Sequence, residues 1–309
     1  MPVPQRVVSL LPSATEILFA VGAGGDVVAV THECDHPSEG VARLPRVTAS
    51  ALPTEGATSR DIDTHIRRAR HEGSSIYNLD ETALAALRPD LIVTQELCEV
   101  CAVAYAQVQQ AVRQLPGDVP VISLEPETLD DICATVVAVG EATGRERQAS
   151  SVEASMRERL GVIASLAPPE PRPRVACIEW TDPMFAAGHW VPEMVTLAGG
   201  TDPLGTSGLP STDLPWERVL ESQPEVMVLM PCGLSLDQTL GVAHEVTSRP
   251  GFGDLPCARS GRVIAVDGSS FFNRPGPRIV AGLEILAAAA RALPGGMLPR
   301  GAAWVGSTS

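Results

Sequence analysis

Basic residues are few: 23 Lys and Arg stand against 37 Asp and Glu, giving a net charge of −14. That balance excludes nucleic acid and anionic membrane as expected partners, since both need clustered cations. Long apolar runs are also missing. None reaches the roughly 18 residues of a membrane-spanning helix, so no membrane span is expected. The start of the chain, "MPVPQRVVSLLPSATE", has no basic lead, no apolar stretch and no lipidation cysteine. This predicts a cytoplasmic protein, periplasmic only if a leader had been removed. Its seven cysteines are then expected to be reduced rather than paired. There is no Ser-His-Asp pattern, no P-loop and no dinucleotide fingerprint. "VGAGG" (21–25) follows a helical stretch and reads as a helix stop.

What is present is an alternation of short apolar runs and helical stretches. "RVVSLL", "DVVAVT", "DLIVTQ" and "VPVISLE" read as strands, and "SATEILFAVG" and "ETALAALRP" as helices. Ser13 and Glu16 are spaced as a capping box. Strands apolar on both faces imply a parallel sheet covered by helices. A long polar helix then runs to "PPEPRP", a stiff connector. After it the pattern restarts: "RVACIEW" is a strand, "WVPEMVTLAGG" a helix, and "LPWERVLESQPEVMVLMPCG" repeats "DETALAALRPDLIVTQELC". Cys98 lies nine residues after Pro89 and Cys232 eight after Pro224. "GRVIAVDG" matches "VPVISLE". The expectation is an α/β protein of two Rossmann-like lobes with parallel sheets, residues 1–143 and 169–309, joined by one long rigid helix over 144–168.

Ligands of open parallel sheets bind beyond the C-terminal ends of the strands, which predicts a ligand cleft between the lobes. The segments at those ends are "PSATE", "THECDHP", "QELCEVC", "EWTDPMFAAGHW", "MPCG" and "DGSSFFNRPGPR". They nominate Ser13 and Thr15 at a helix N-terminus suited to an anionic group. Glu33 (with Asp35) and Gln95 are nominated beside them. Trp180, Phe185 and Trp190 are candidate walls for a flat ligand. Arg274 offers a forked guanidinium for a carboxylate, phosphate or amide rim. Cys34, Cys98, Cys101 and Cys232 all fall in these loops. Four sulfurs would suit zinc, Cu(I) or an iron–sulfur cluster, and His32, His36 or His189 could replace one. Packing and a redox or thiolate-to-cobalt role are the alternatives for the same four. Cys133 and Cys177, inside a helix and a strand, read as small buried hydrophobes. Cys257 sits on a surface-like loop. "HIRRARHEG" (65–73) reads as an exposed charged helix.

"RVVSLLPSATEILFAVG", "LAALRPDLIV", "AGHWVPEMVTLAGG" and "FFNRPGPRIVAGLEIL" resemble the substrate-binding proteins of cobalamin and iron-chelate ABC transporters. The resemblance covers about residues 5 to 293, and is closest to a branch carrying "THECDHP", "LCEVCAV" and "PCG". It implies a two-lobed binding protein holding a metal chelate, most simply a corrinoid such as cobalamin, without catalysis. It places Phe271, Phe272 and Arg274 where that family contacts its ligand, and implies an ABC permease as partner only if the protein is exported. Two departures stand out: where secreted cobalamin binders carry aromatics that pack on the corrin, this chain has "THEC" and "QELC". The rival reading is a metal- or cluster-binding protein or enzyme using a cysteine-lined cleft, for chelatase-like or thiol chemistry.

Overall fold

The computed structural model describes residues 3–52, 56–72, 76–95, 105–113, 115–166, 171–291 and 293–306. The chain divides into two compact α/β units. The first comprises Met1–Pro126 with Asp130–Ser155, the second Glu127–Leu129 with Met156–Ser309.

In the first unit the strands are β1 (Val7–Ser9), β2 (Val27–Ala29), β3 (Thr48–Ser50), β4 (Tyr77–Leu79), β5 (Leu91–Thr94) and β6 (Val121–Ser123). Four of them form a sheet in the order β2-β1-β5-β6, with every pairing parallel. β1 and β5 are buried along their whole length, which is why no polar alternation marks them in the sequence. Val8, Leu10 and Ile92 pack there with Leu84 and Val108 of flanking helices. Each such fully buried side chain contributes about 1.5–3 kcal/mol. β3 and β4 pair antiparallel as a separate ribbon; their polar, three-residue strands gave no sequence signal.

The second unit has β7 (Val175–Thr181), β8 (Met184–Ala186), β9 (Thr212–Asp213), β10 (Val226–Leu229), β11 (Val263–Val266) and β12 (Ala302–Trp304). Their order is β12-β11-β10-β7-β8-β9. The expectation of an all-parallel sheet holds only for β11-β10-β7. β8, β9 and β12 join antiparallel. For β8 the reason is connection length: two residues separate it from β7, and a parallel pair needs a crossover of a dozen or more.

The internal repeat is visible in backbone geometry. The helix Glu81–Leu87 stops at Arg88 (φ 47°), Pro89 follows, then β5. The helix Trp216–Ser222 stops at Gln223 (φ 46°), Pro224 follows, then β10. Both ends use a left-handed residue that is not glycine to reverse the chain. The long helix expected between the units runs Glu146–Ser165, about 30 Å at 1.5 Å per residue. The boundary between the units falls within it, after Ser155. Its start lies so close to the helix Leu129–Thr143 that a Cβ on Gly140 would stand 2.2 Å from that of Ala149. Of the charged stretch at 65–73, residues 65–71 lie in the helix Ser59–His71, and Gly73 lies outside the described residues.

Candidate functional site

At the C-terminal end of the first unit's sheet, a set of short polar side chains is fully enclosed. Ser9 and Thr15 have no exposed surface, Ser13 has 1% and Thr31 4%. Their hydroxyls form a relay. The Ser9 hydroxyl donates to Leu11 O (3.1 Å), and the Thr15 hydroxyl donates to Ser9 Oγ (2.8 Å). Cys34 Sγ stands 3.1 Å from both Thr15 Oγ1 and Thr31 Oγ1. With Thr15 donating to Ser9, the Cys34 thiol donates to Thr15 and Thr31 donates to the sulfur. Arg46 fastens the same loop from outside, donating to Thr31 O (3.0 Å) and Cys34 O (2.8 Å).

The capping box expected of Ser13 and Glu16 does not form. The helix Pro12–Ala20 has Leu11 at its N-cap with no side-chain cap, so Ser13 lies inside the first turn. Its hydroxyl is buried and meets no partner among the described residues. The Glu33 side chain is 42% exposed, with Oε1 3.4 Å from His32 Nε2. His32 Nδ1 lies 2.7 Å from Thr48 Oγ1. Burial lowers the His32 pKa, and Arg46 adds to that while Glu33 opposes it. Gln95, immediately after β5, is 6% exposed. Asp35 and His36 are exposed.

In the second unit, Trp180 near the end of β7 and Phe185 on β8 are half-buried cross-strand partners. Four residues on, His189 adopts φ 50°. Its amide donates to Leu209 O (2.6 Å), and its carbonyl accepts from Gly208 (2.9 Å). Its ring stacks on Trp190 at 5.6 Å and 28°, and its Nδ1 is buried without a partner among the described residues. Burial lowers the His189 pKa against the pull of Glu127, so the ring is biased to neutrality. Trp190 is only 7% exposed and its indole donates to Phe272 O (2.9 Å). Phe272 has no exposed surface; its ring belongs to the core and not to a ligand wall. Phe271 is half-buried, with the Arg278 guanidinium 6.0 Å from its ring centre. Arg274 is 8% exposed.

Sequence reasoning missed the carboxyls beneath this segment. Glu179 accepts from Ser211 Oγ (2.7 Å) and from the Gly188 amide. Asp202 Oδ1 accepts from the amides of Leu204 and Gly205, both at 2.9 Å. Burial raises both pKa values. Glu179 had a signal, as the single charge within the apolar run "VACIEW". Asp202 had none beyond its place in a turn-like "TDPLG".

The cysteines need correction. Among the described residues no group of three or more His, Cys, Asp or Glu could hold a metal ion. Cys34 is 2% exposed and engaged on both sides by hydroxyls, which suits a thiol and not a metal-bound thiolate. Cys232 is half-buried and belongs to the other unit. Cys98 and Cys101 lie outside the described residues. A zinc ion or iron–sulfur cluster on these four is therefore unsupported. Cys257 is not on the surface either: it sits in the second core, and burial pushes its thiol up to about 11. Cys133 and Cys177 are buried as expected.

Two parallel-cored α/β units with polar loops at their strand ends define a binding-protein architecture. Residues 7–269 match the Periplasmic binding protein family, and the chain belongs to that family. It is 23% identical over 301 residues to a vitamin B12-binding protein of Pectobacterium atrosepticum, covering 90% of this chain and 85% of that one. Its fold is similar to a periplasmic heme-binding protein from Roseiflexus (TM-score 0.68, 24% identity, 92% and 97% of the two chains). It is likewise similar to a possible iron-binding periplasmic protein from Staphylococcus epidermidis (TM-score 0.71, 21% identity, 94% and 99%). The family is one of binders, in line with the reading that leaned away from catalysis. It also overturns the expectation of a cytoplasmic protein, since the family and these matched structures are periplasmic. Among the described residues, no helix is long and apolar enough to cross a membrane.

Proposed function

We propose that the protein binds a metal chelate, a corrinoid in the first instance, and delivers it to an ABC permease. The observation that carries this is the Trp180–Phe185 pair on β7 and β8 with His189 four residues beyond. Two half-buried aromatic rings suit the face of a flat macrocycle. An imidazole kept neutral by burial keeps a lone pair for a metal centre. Phe271 and the guanidinium of Arg274 supply a further ring and a donor for the amide or carboxylate rim. The relatives named for vitamin B12 favour the corrinoid; the fold neighbours named for heme and iron supply the rivals.

The test is an anaerobic absorbance titration with hydroxocobalamin, hemin and a ferric hydroxamate in parallel. A stoichiometric shift of the corrin band, lost in His189→Ala, supports the reading and puts the imidazole on cobalt. Tighter binding of hemin or the hydroxamate replaces the corrinoid with that ligand. Binding of none of the three overturns the reading.

A further inference from the structure

The helix Pro12–Ala20 begins with a proline, which removes one orphan donor, but without a side-chain cap. Its N-cap, Leu11, has no acceptor on its side chain, Pro12 follows, and the first turn contains no acid. An N-cap oxygen ordinarily accepts from the second or third helical amide, which here are those of Ser13 and Ala14. Neither amide donates to a group among the described residues, whereas Thr15 N is already bonded to Leu11 O at 3.1 Å. A second observation is independent of the backbone. Ser13 Oγ, on the same turn of a residue only 1% exposed, is buried and finds no partner among the described residues.

Three donors thus gather on one turn at the positive end of a helix dipole. Buried donors favour an acceptor strongly, and a helix N-terminus favours a negative one. The turn is also held in place: the relay from Thr31 through Cys34, Thr15 and Ser9 ends on the carbonyl of Leu11 itself. The nearest carboxylate in the helix, Glu16, lies beyond the first turn.

We propose that Ser13 N, Ser13 Oγ and Ala14 N bind an oxyanion carried by the ligand, a phosphodiester or a carboxylate. This rests on the reading that a chelate is bound, and it adds a chemical group that the chelate carries.

The first arm of the test uses inorganic phosphate against chloride at matched ionic strength. Thermal midpoints and 31P linewidths are read for the full chain and for Ser13→Ala and Ser13→Asp. Phosphate is expected to raise the midpoint of the unmodified chain. It is expected to leave Ser13→Asp unmoved, because the new carboxylate serves the same amides. The second arm titrates paired ligands: hydroxocobalamin against cobinamide, which lacks the nucleotide phosphodiester, and hemin against its dimethyl ester. Ser13→Ala should weaken the oxyanion-bearing member of whichever pair binds by about tenfold, the worth of one hydrogen bond. The member without the oxyanion should bind Ser13→Ala and the unmodified chain alike. Equal weakening of both members, or none, overturns the oxyanion site and leaves the chelate reading standing. If no chelate binds, that reading falls, and the phosphate arm alone decides whether the anion site exists.

Discussion

Cys34 shows how much a single side chain depends on the direction of its hydrogen bonds. Its thiol passes a donor on to Thr15 and takes one from Thr31. Cys34→Ser should preserve both and change stability by less than about 1 kcal/mol, whereas Cys34→Val leaves a buried hydroxyl unpaired and should cost about 1–3 kcal/mol. Urea unfolding of the two variants checks this. A metal-ligand role would instead make Ser and Val equally damaging to ligand affinity.

Titration signs at single residues divide into two groups. His32 and His189 have lowered pKa values. Their contribution is present above the ordinary histidine value near 6.5 and is lost as pH falls through the folded-state pKa. Glu179 and Asp202 have raised values. Their contribution is present below the unfolded carboxyl range and is lost as pH rises through the folded-state pKa. Glu179→Gln keeps an acceptor for Ser211 and never ionises. It should therefore gain stability relative to the unmodified chain as pH is raised from about 4 to 8. Thermal melts across that range at fixed ionic strength test it; a constant difference between the two proteins contradicts the assignment.

At the scale of elements, two constraints stand out. The segments 186–190 and 202–211 approach so closely that a Cβ on Gly188 would lie 2.5 Å from Leu209 O and Ser211 N. Gly188→Ala should cost roughly 1–3 kcal/mol through backbone displacement, and should weaken ligand binding because His189 moves with it. The second constraint is the pair of left-handed helix ends. Arg88 is exposed and lies at φ 47°, so Arg88→Gly relieves strain of about 1–2 kcal/mol. Against the added freedom of the unfolded chain, a net gain of a few tenths to about 1 kcal/mol is expected in denaturant titrations.

The same elements show what the sequence could convey. Apolar runs bounded by proline or glycine identified β1, β5, β7, β10 and β11, because strands buried on both faces must be apolar. The Leu87–Pro89 and Ser222–Pro224 joints were legible because proline forbids the helix from continuing. The antiparallel strands of the second sheet were not legible: β8, β9 and β12 are two or three residues long, too short to show a period. The site was partly legible. Strand-end position nominated Trp180, Phe185 and Trp190 as ring walls; Trp180 and Phe185 are half-buried, whereas Trp190 is only 7% exposed. Composition could not distinguish Phe272, which faces the core, from Phe271, which is half-buried. Cysteine spacing suggested a metal set that burial of Cys34 within hydroxyls rules against.

For the whole molecule, the net charge of −14 acts on every approaching ligand. Repulsion between like charges slows encounter and is screened within about 10 Å at 0.1 M salt. Association of dianionic hemin should therefore accelerate with added salt, while that of its neutral dimethyl ester should change little. Stopped-flow rates at several ionic strengths test this, and equal salt responses would show that the local field at the binding residues outweighs the global charge.

The route of the chain through its two units has a practical consequence for dissection. Glu127–Leu129 belongs with the second unit, and Asp130–Ser155 returns to the first. The Leu129 amide donates to the Glu193 carboxylate at 3.1 Å. No single cut in the gene therefore separates the halves: a fragment beginning at Met156 lacks that donor, and one ending at Ser155 carries three residues native to its neighbour. Fragment complementation, with both pieces expressed together, is the arrangement in which each half can recover its missing part.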